Sequence, residues 1–147
     1  MATAGAVLAS KADRTIYTIT PEASVFDALK LMAEKNIGAL LVMTKADQPV
    51  GIISERDYAR KIVLMARSSK ETRVRDVMSS PVMYVSSDRT SEECMALMTE
   101  RRLRHLPVMD GGKLIGLISI GDLVKDVISE QKFIIRQLER YITGEHG

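Results

Sequence analysis

Two short polar turns are the parts of this chain whose residue types could do chemistry. They are Ser54-Glu55-Arg56-Asp57 and Ser119-Ile120-Gly121-Asp122, and each follows a glycine and two branched apolar residues. A serine at a helix N-terminus lies among unpaired backbone N–H groups, where an anion such as phosphate is favoured. An aspartate in the first helical turn can accept hydrogen bonds from neighbouring hydroxyl groups. The same Ser-x-x-Asp spacing is also that of a plain helix cap, so a purely structural role stays open.

The two turns belong to an internal duplication. Residues 51–57 match residues 116–122 at a separation of 65, and the helix-like stripe in 25–32 matches 91–98 at a separation of 66. A constant period with one residue of difference in a loop indicates two copies of one supersecondary unit.

Each copy is predicted to be strand, helix, strand, strand, helix. The periodicity predicts, for the first copy, segments 16–20, 25–34, 39–44, 50–53 and a helix from 54 with Ala59, Ile62, Val63 and Ala66 on one face. For the second copy it predicts segments 82–86, 90–102, 106–109, 114–119 and a helix from Asp122 to about Thr143, with Gly144 as its stop. Apolar and polar residues alternate in the outer strands, and apolar residues recur every three or four positions in the helices.

The fold class predicted from this order is α+β, with two β-α-β-β-α repeats packed sheet-to-sheet about a pseudo-twofold axis. The predicted bounds are 8–66 for repeat 1, 67–73 for a polar linker, 74–128 for repeat 2 and 129–147 for an extension of the last helix. Residues 1–14 show little pattern and are expected to lie along the surface of the second half.

The last helix carries more apolar residues than one repeat needs. Heptad spacing relates Val124, Ile128, Gln131, Ile135, Leu138 and Ile142. Such a row is typical of a helix that packs on another helix, so the tail is expected to contact a neighbouring subunit.

Composition limits the classes of function. A net charge of +2 and 4 % aromatic residues argue against a nucleic-acid-binding protein. No apolar run approaches the ~18 residues of a membrane span. One cysteine, Cys94, excludes an internal disulfide and suits a reducing compartment, so we expect a cytoplasmic protein. Cys94 itself is predicted to be a core residue.

No set of residues predicts catalysis or a metal site. The sequence offers no nucleophile, base and orienting group at recognisable spacing and no glycine-rich phosphate loop. His105 has no second histidine or cysteine at ligand spacing, and His146 lies in the tail. The chain is therefore predicted not to be an enzyme.

The two Gly-apolar-apolar-Ser-x-x-Asp turns, together with Arg104-His105-Leu106-Pro107-Val108, resemble a tandem pair of CBS domains, the regulatory domains of cystathionine β-synthase. The resemblance runs from about Ser10 to Ile128 and is closest to small stand-alone bacterial members. It implies a non-catalytic sensor that binds adenine nucleotides in clefts between repeats, forms a homodimer and signals to an unidentified partner protein. AMP is the foremost ligand, with NAD, ADP, ATP and S-adenosylmethionine as the other candidates.

The resemblance assigns roles to the residues of the turns. Asp57 and Asp122 would accept hydrogen bonds from the ribose hydroxyls, as acidic residues do in dinucleotide-binding folds. Ser54 and Ser119 would lie beside phosphate at the helix N-termini. The apolar floor beneath the adenine would be formed by Ile52 and Leu117.

Basic residues are expected to meet the phosphate oxygens. Arg104 and His105 hold this position in the second copy, and Arg56 could supply charge to the other cleft. A solvated basic face remains the alternative. Since Gly38 and Ala39 are the counterparts of Arg104 and His105, the two sites are predicted to be unequal.

The family's geometry pairs each turn with the lead-in of the opposite repeat. Ser119 and Asp122 would then share a cleft with Lys11, Ala12, Gly38 and Ala39. Ser54 and Asp57 would share one with Met78, Ser80 and Pro81. The alternative function is a protein-interaction or dimerisation module whose nucleotide clefts are vestigial.

Overall fold

The computed structural model describes residues 2–143, which divide into two units. Unit A is residues 15–83, and unit B combines residues 2–14 with 84–143. Each unit therefore holds most of one sequence copy together with the segment that precedes the other copy. The α+β class and the two repeats are as predicted.

The helices and strands lie along the chain as follows. They are α1 (Ala4–Ser10), β1 (Thr18–Ile19), α2 (Val25–Lys35), β2 (Ala39–Met43), β3 (Pro49–Ser54), α3 (Glu55–Asp57) followed by a π-helix (Tyr58–Val63), a 3-10 helix (Val74–Asp76), α4 (Ser91–Arg101), β4 (His105–Asp110), β5 (Lys113–Ser119) and α5 (Ile120–Thr143).

Unit A is built on a three-stranded sheet in the order β1-β2-β3. β1 runs parallel to β2, and β2 pairs antiparallel with β3 in a register that sets Ala39 opposite Ser54. The run of apolar residues in β2 predicts a strand buried on both faces, and its first four residues are buried. The core cluster of unit A consists of Val25, Ala28, Met32, Leu40, Val42, Ile53, Ile62, Val74 and Val77.

Helix α2 is fixed at both ends by its own sequence. The Ser24 hydroxyl accepts a hydrogen bond of 3.0 Å from the backbone N–H of Asp27, as the cap signal predicts. Asn36 ends the helix with a φ of 54°, a left-handed conformation that asparagine tolerates. The chain thereby turns directly into β2.

Unit B is built on the hairpin of β4 and β5. Gly111 and Gly112 form its turn with φ values of 57° and 76°, which glycine adopts without strain. The register sets His105 opposite Ser119. Helix α4 begins with the predicted capping box, in which the Thr90 and Glu93 side chains each bond the other's backbone N–H.

The prediction for residues 1–14 is confirmed in that residues 2–14 lie with the second half, and it is wrong in placing the segment at the surface. Ala4–Ser10 form helix α1, whose Ala4, Val7 and Leu8 are buried. The side chain of Thr3 caps the helix by accepting a hydrogen bond from the backbone N–H of Ala6. Helix α1 contacts β5, α4 and α5, so it belongs to the packing of unit B and not to its surface.

The strand predicted over residues 82–86 is reduced to one bridging residue. Val85 pairs with Val108, donating to the Pro107 carbonyl and accepting from the backbone N–H of Met109. The ladder ends there because the backbone N–H of Ser87 bonds the Asp110 carboxylate instead. Side-chain competition of this kind takes backbone groups out of strands.

The helix predicted after Ser54 does not keep one apolar face. After three α-helical residues the chain widens into a π-helix, with the backbone N–H of Leu64 bonded to the Ala59 carbonyl five residues earlier. The wider turn breaks the 3.6-residue period, so Ile62 is buried while Val63 and Ala66 are exposed. Ala66 then ends the segment with a φ of 55°.

Helix α5 reaches Thr143, as predicted, and begins at Ile120, two residues before the predicted start. The predictions for Gly144 and His146 lie outside the described residues.

Candidate functional site

The turn at Asp122 joins the end of β5 to the start of α5. The backbone N–H of Ser119 donates to Asp122 Oδ2 over 2.8 Å, and the backbone N–H of Asp122 donates to Ser119 Oγ over 3.1 Å. This reciprocal pair is a capping box, so the structural interpretation of Ser-x-x-Asp holds here. It also fixes the carboxylate in one orientation at the strand end.

The turn at Asp57 repeats this geometry. The backbone N–H of Ser54 donates to Asp57 Oδ2 over 3.0 Å, and the backbone N–H of Asp57 donates to Ser54 Oγ over 3.2 Å. The Ser54 hydroxyl in addition donates to Asp57 Oδ2 over 3.1 Å. The duplicated motif therefore folds into the same local structure twice.

The same strand position supports both turns. In unit A the Gly38 carbonyl accepts a hydrogen bond of 3.0 Å from the backbone N–H of Glu55. In unit B the Arg104 carbonyl accepts one of 2.9 Å from the backbone N–H of Ile120. Each turn is thus tied to the residue just before its neighbouring strand, glycine in one copy and arginine in the other.

Lys11 lies outside repeat 2 and brings a positive charge to the Asp122 turn of that repeat. Its Nζ lies 3.0 Å from Asp122 Oδ2 and donates to the Leu117 carbonyl over 2.9 Å. The Lys11 and Asp122 side chains are 24 % and 18 % exposed, so the pair is largely shielded from water. The structure thus brings together four of the predicted site residues, Lys11, Leu117, Ser119 and Asp122.

Lys61 and Ser79 contact Asp57, and the sequence interpretation missed both. Lys61 Nζ lies 3.7 Å from Asp57 Oδ1 and donates to the Val77 carbonyl over 2.8 Å. The Ser79 hydroxyl donates to Asp57 Oδ1 over 3.4 Å. The spacing of four residues from Asp57 to Lys61 was the available signal, since such pairs meet on a helix. Ser79 lies between two residues that were predicted, Met78 and Ser80.

The environment of Asp122 sets its charge. Burial acts to raise the pKa of the Asp122 carboxyl, but hydrogen bonds from the Ser119 backbone and from Lys11 outweigh burial and hold the pKa below its ordinary value. Asp122 is therefore ionised at neutral pH. Within residues 2–143 no donor contacts its second oxygen, Oδ1.

His105 lies across the β4–β5 ladder from Ser119. Burial lowers the pKa of the imidazole, the Asp122 charge partly opposes this, and Lys11 and Arg104 lower the pKa further. His105 is accordingly neutral near pH 7 and presents one N–H donor rather than a full positive charge. Its contact with phosphate stays a prediction.

A lead-in segment packs closely over the glycine of each turn. A Cβ on Gly51 would lie 2.6 Å from Met78 Sδ, and one on Gly116 would lie 2.5 Å from Leu8 Cδ2. An added Cβ would therefore force the Met78 or Leu8 side chain to move. Ile52, one residue on from Gly51, exchanges two backbone hydrogen bonds with Ser79. Ile52 and Leu117 are half-buried, and an adenine contact for either stays a prediction.

The remaining predicted residues differ in exposure. Ala39 is buried, and the exposed ones are Ala12, Gly38, Arg56, Ser80, Pro81 and Arg104. Arg56 and Arg104 make no ion pair within the part of the chain that the structure describes. Their positive charges are thus not neutralised by described carboxylates.

Two open surface pockets lie away from the two serine-aspartate turns. One, of about 430 Å³, is lined by Arg67, Glu71, Thr72 and Asp76, and the other, of about 350 Å³, is lined by Glu92, Glu130, Phe133 and Ile134. None of these residues was predicted to bind a ligand. Among residues 2–143, no cluster of histidine, cysteine and acidic side chains could hold a metal, and no helix is long and apolar enough to cross a bilayer.

The sequence matches the family model "CBS domain" twice, over residues 9–64 and 74–129. Among curated proteins, the CBS domain-containing protein CBSX3, mitochondrial, of Arabidopsis thaliana is 40 % identical over 137 residues, which are 90 % of this chain and 66 % of that protein. An uncharacterised protein of Methanopyrus kandleri is 32 % identical, over 87 % of this chain and 64 % of its own length. The chain thus spans about two thirds or slightly less of these relatives.

Solved structures show the same likeness. A putative signal-transduction protein with CBS domains from Burkholderia ambifaria is 62 % identical, with a TM-score of 0.83 over 88 % of this chain and 96 % of that one. CBSX2, solved in complex with AMP, is 27 % identical, with a TM-score of 0.71 over 89 % of this chain and 99 % of that one.

Proposed function

We propose a function from one premise: the chain belongs to the CBS domain family and carries two copies of that domain. It is a non-catalytic regulatory module that binds an adenine nucleotide, with AMP as the foremost ligand and NAD, ADP, ATP or S-adenosylmethionine as the others. The ribose hydroxyls of the nucleotide are held by Asp57 or Asp122. A partner protein responds to the nucleotide-bound state. The proposal also includes a homodimer and a location in the reducing cytoplasm.

The single observation that carries the proposal is the fixed carboxylate of Asp122. Its Oδ2 is bonded to Ser119 and Lys11, which leaves the two lone pairs of Oδ1 for a pair of hydroxyl donors. The lowered pKa of Asp122 keeps the acceptor ionised, and ionised acceptors form the stronger hydrogen bonds. AMP bound to CBSX2 supports the choice of ligand class.

The two turns are proposed to be unequal. Asp57 Oδ1 already accepts from Ser79 and lies near Lys61, whereas Asp122 Oδ1 has no described donor. Arg104 and His105 flank the Asp122 turn, whereas Gly38 and Ala39 flank the Asp57 turn. The Asp122 turn therefore offers both the available oxygen and the basic neighbours, and it is the tighter site.

A thermal-shift experiment tests the proposal. Ligand-free protein is titrated with AMP, ADP, ATP, NAD and S-adenosylmethionine, and with GMP for comparison. A ligand at 100 times its dissociation constant stabilises the folded state by about 2.7 kcal/mol, which raises the unfolding temperature measurably. Asp122→Asn keeps a side-chain oxygen for the cap but loses the charge, so most of the shift should be lost.

Asp27→Asn is the matched control. Asp27 also lies three residues after a capping serine, at the start of α2, and it is exposed and outside the predicted site. This variant should keep the full shift. If no adenylate shifts the unfolding temperature of the wild type, the proposal is wrong.

The absence of any shift would favour the second candidate, an interaction module with vestigial clefts. One observation supports it. The capping boxes at both turns account for both serine-aspartate pairs without a ligand.

A further inference from the structure

Helix α5 extends well beyond the domain that it belongs to. Its first turns are anchored in unit B, with Leu123 fully buried, but every described residue from Ser129 to Thr143 is exposed. The match to the CBS domain ends at residue 129. At about 1.5 Å per residue, the exposed part is some 20 Å of helix that does not pack against unit B.

An apolar face runs the length of this extension. Ile128, Leu138 and Ile142 are 45 %, 55 % and 81 % exposed. Single exposed apolar residues are ordinary, whereas a continuous exposed row marks an interaction surface. A helix of this length gains most of its stability from packing, so the face needs a partner.

The spacing of the row indicates another helix as the partner. The positions 124, 128, 131, 135, 138 and 142 alternate steps of four and three residues, which is the heptad pattern. In heptad notation isoleucine fills all three a positions, and Leu138 is a d position. The other two d positions hold Val124 and Gln131.

Building on the homodimer of the proposed function, we propose that α5 forms an antiparallel two-stranded coiled coil with α5 of a second copy of this chain, centred near Phe133. In this register Ile128 of one copy lies opposite Leu138 of the other, and Gln131 lies opposite Ile135. Gln131, the one polar residue of the row, lowers the stability of the pair, as polar core residues do in coiled coils.

Besides the apolar residues at the a and d positions, α5 has a third apolar row at the g positions. This row favours the antiparallel direction. Val127, Ile134 and Tyr141 occupy the g positions, and Ile134 and Tyr141 are 55 % and 79 % exposed. In an antiparallel pair the g rows face each other, so these residues are covered by apolar partners. In a parallel pair each g row would lie beside the charged e row of the other helix.

The charges of the e row agree with the same direction. Its residues are Lys125, Lys132 and Glu139. The antiparallel register sets Lys125 opposite Glu139 of the second copy, twice in the dimer, and sets only Lys132 opposite itself. Two attractive pairs against one repulsive pair make the surface self-complementary in charge.

Analytical ultracentrifugation of the full chain tests the proposal. The wild type should sediment as a dimer, and Leu138→Asp should sediment as a monomer at the same concentration. Gln137→Asp is the matched control, because it adds the same charge one residue away, at a position that faces away from the row, and it should remain a dimer. Leu138 lies in the exposed extension, so circular dichroism and the unfolding temperature should show unit B intact.

A dimer that withstands Leu138→Asp, or a wild type that is monomeric, would overturn the proposal. In the second case the face would serve a different protein.

Cysteine cross-linking tests the direction. Under mild oxidation an equimolar mixture of Ile128→Cys and Leu138→Cys chains should form a disulfide-linked heterodimer, since these positions face each other across the pair. Neither variant should cross-link by itself. Cross-linking of Leu138→Cys alone would indicate parallel helices and overturn the antiparallel register. The native Cys94 gives no background, because it is buried and burial raises the pKa of its thiol.

Discussion

At the scale of single residues, the Asp122 carboxylate separates two tasks between its two oxygens. Oδ2 holds the start of α5 through Ser119 and receives Lys11, while Oδ1 has no donor among the described residues. A helix cap and a ligand contact are therefore compatible in one side chain. The capping interpretation, which the sequence left open, is correct in both copies and does not exclude binding.

Lys11→Met tests how far Lys11 sets the properties of Asp122. The methionine keeps the aliphatic stem and removes the charge, so the pKa of Asp122 should rise. Because the pKa of Asp122 is lowered by folding, its interactions stabilise the protein above the unfolded pKa of about 3.9 and are lost as pH falls through the folded value. The variant should lose about 1–2 kcal/mol of unfolding free energy at pH 7. The loss should shrink below pH 4.

Urea denaturation at pH 7 and at pH 3.5 measures this difference. Lys113→Met is the control, since Lys113 makes no ion pair in the described chain, and it should change little at either pH. An equal loss at both values of pH would show that packing, and not the ion pair, explains the effect of Lys11→Met.

At the scale of elements, sequence pattern predicted the regular parts and missed the irregular ones. Helices α2 and α4 were predicted because a capping residue and an apolar stripe agree in each. Helix α1 was missed because a run of alanine, glycine and valine has little contrast between apolar and polar residues. The π-helix was missed because its period depends on backbone hydrogen bonds that the side chains do not encode.

The contacts of the candidate site also divide into those that local sequence predicts and those that it does not. Spacing alone predicted the two serine-aspartate turns, because their residues are neighbours in sequence. Contacts between distant segments, such as that of Leu8 with Gly116, leave no local pattern in either segment. Lys11 was placed beside Asp122 only through the resemblance to CBS domains.

Gly116→Ala tests the packing of α1 on β5. A methyl group there would lie 2.5 Å from Leu8 Cδ2 and 3.1 Å from Leu8 Cγ, and Leu8 is buried, so it has little room to move. Overpacking of this kind costs about 1–3 kcal/mol of unfolding free energy, which chemical denaturation measures.

Gly38→Ala is the control for stability, because a Cβ at Gly38 meets nothing within 4 Å and its φ is not positive. It should leave the unfolding free energy nearly unchanged. If Gly116→Ala is tolerated as well as Gly38→Ala, helix α1 is not packed on β5 in solution.

At the scale of the whole molecule, duplication explains the repetition of the turns, and the differences between the copies suggest how they diverged. The capping boxes are alike to within a few tenths of an ångström, but the cation is Lys11, just after α1, in one copy and Lys61 of the local π-helix in the other. The duplicated parts thus specify the fold, and the unequal parts supply the proposed difference in affinity. The α5 extension lies outside both copies and is proposed to join two chains.

Calorimetric titration with AMP and with 2′-deoxy-AMP tests the central claim most directly. If a carboxylate holds the ribose hydroxyls, the wild type should bind 2′-deoxy-AMP about tenfold or more weakly than AMP, the effect of one hydrogen bond to a charged group. Asp57→Asn/Asp122→Asn should bind AMP weakly and discriminate little between the two nucleotides. Equal affinity of the wild type for both nucleotides would contradict the account.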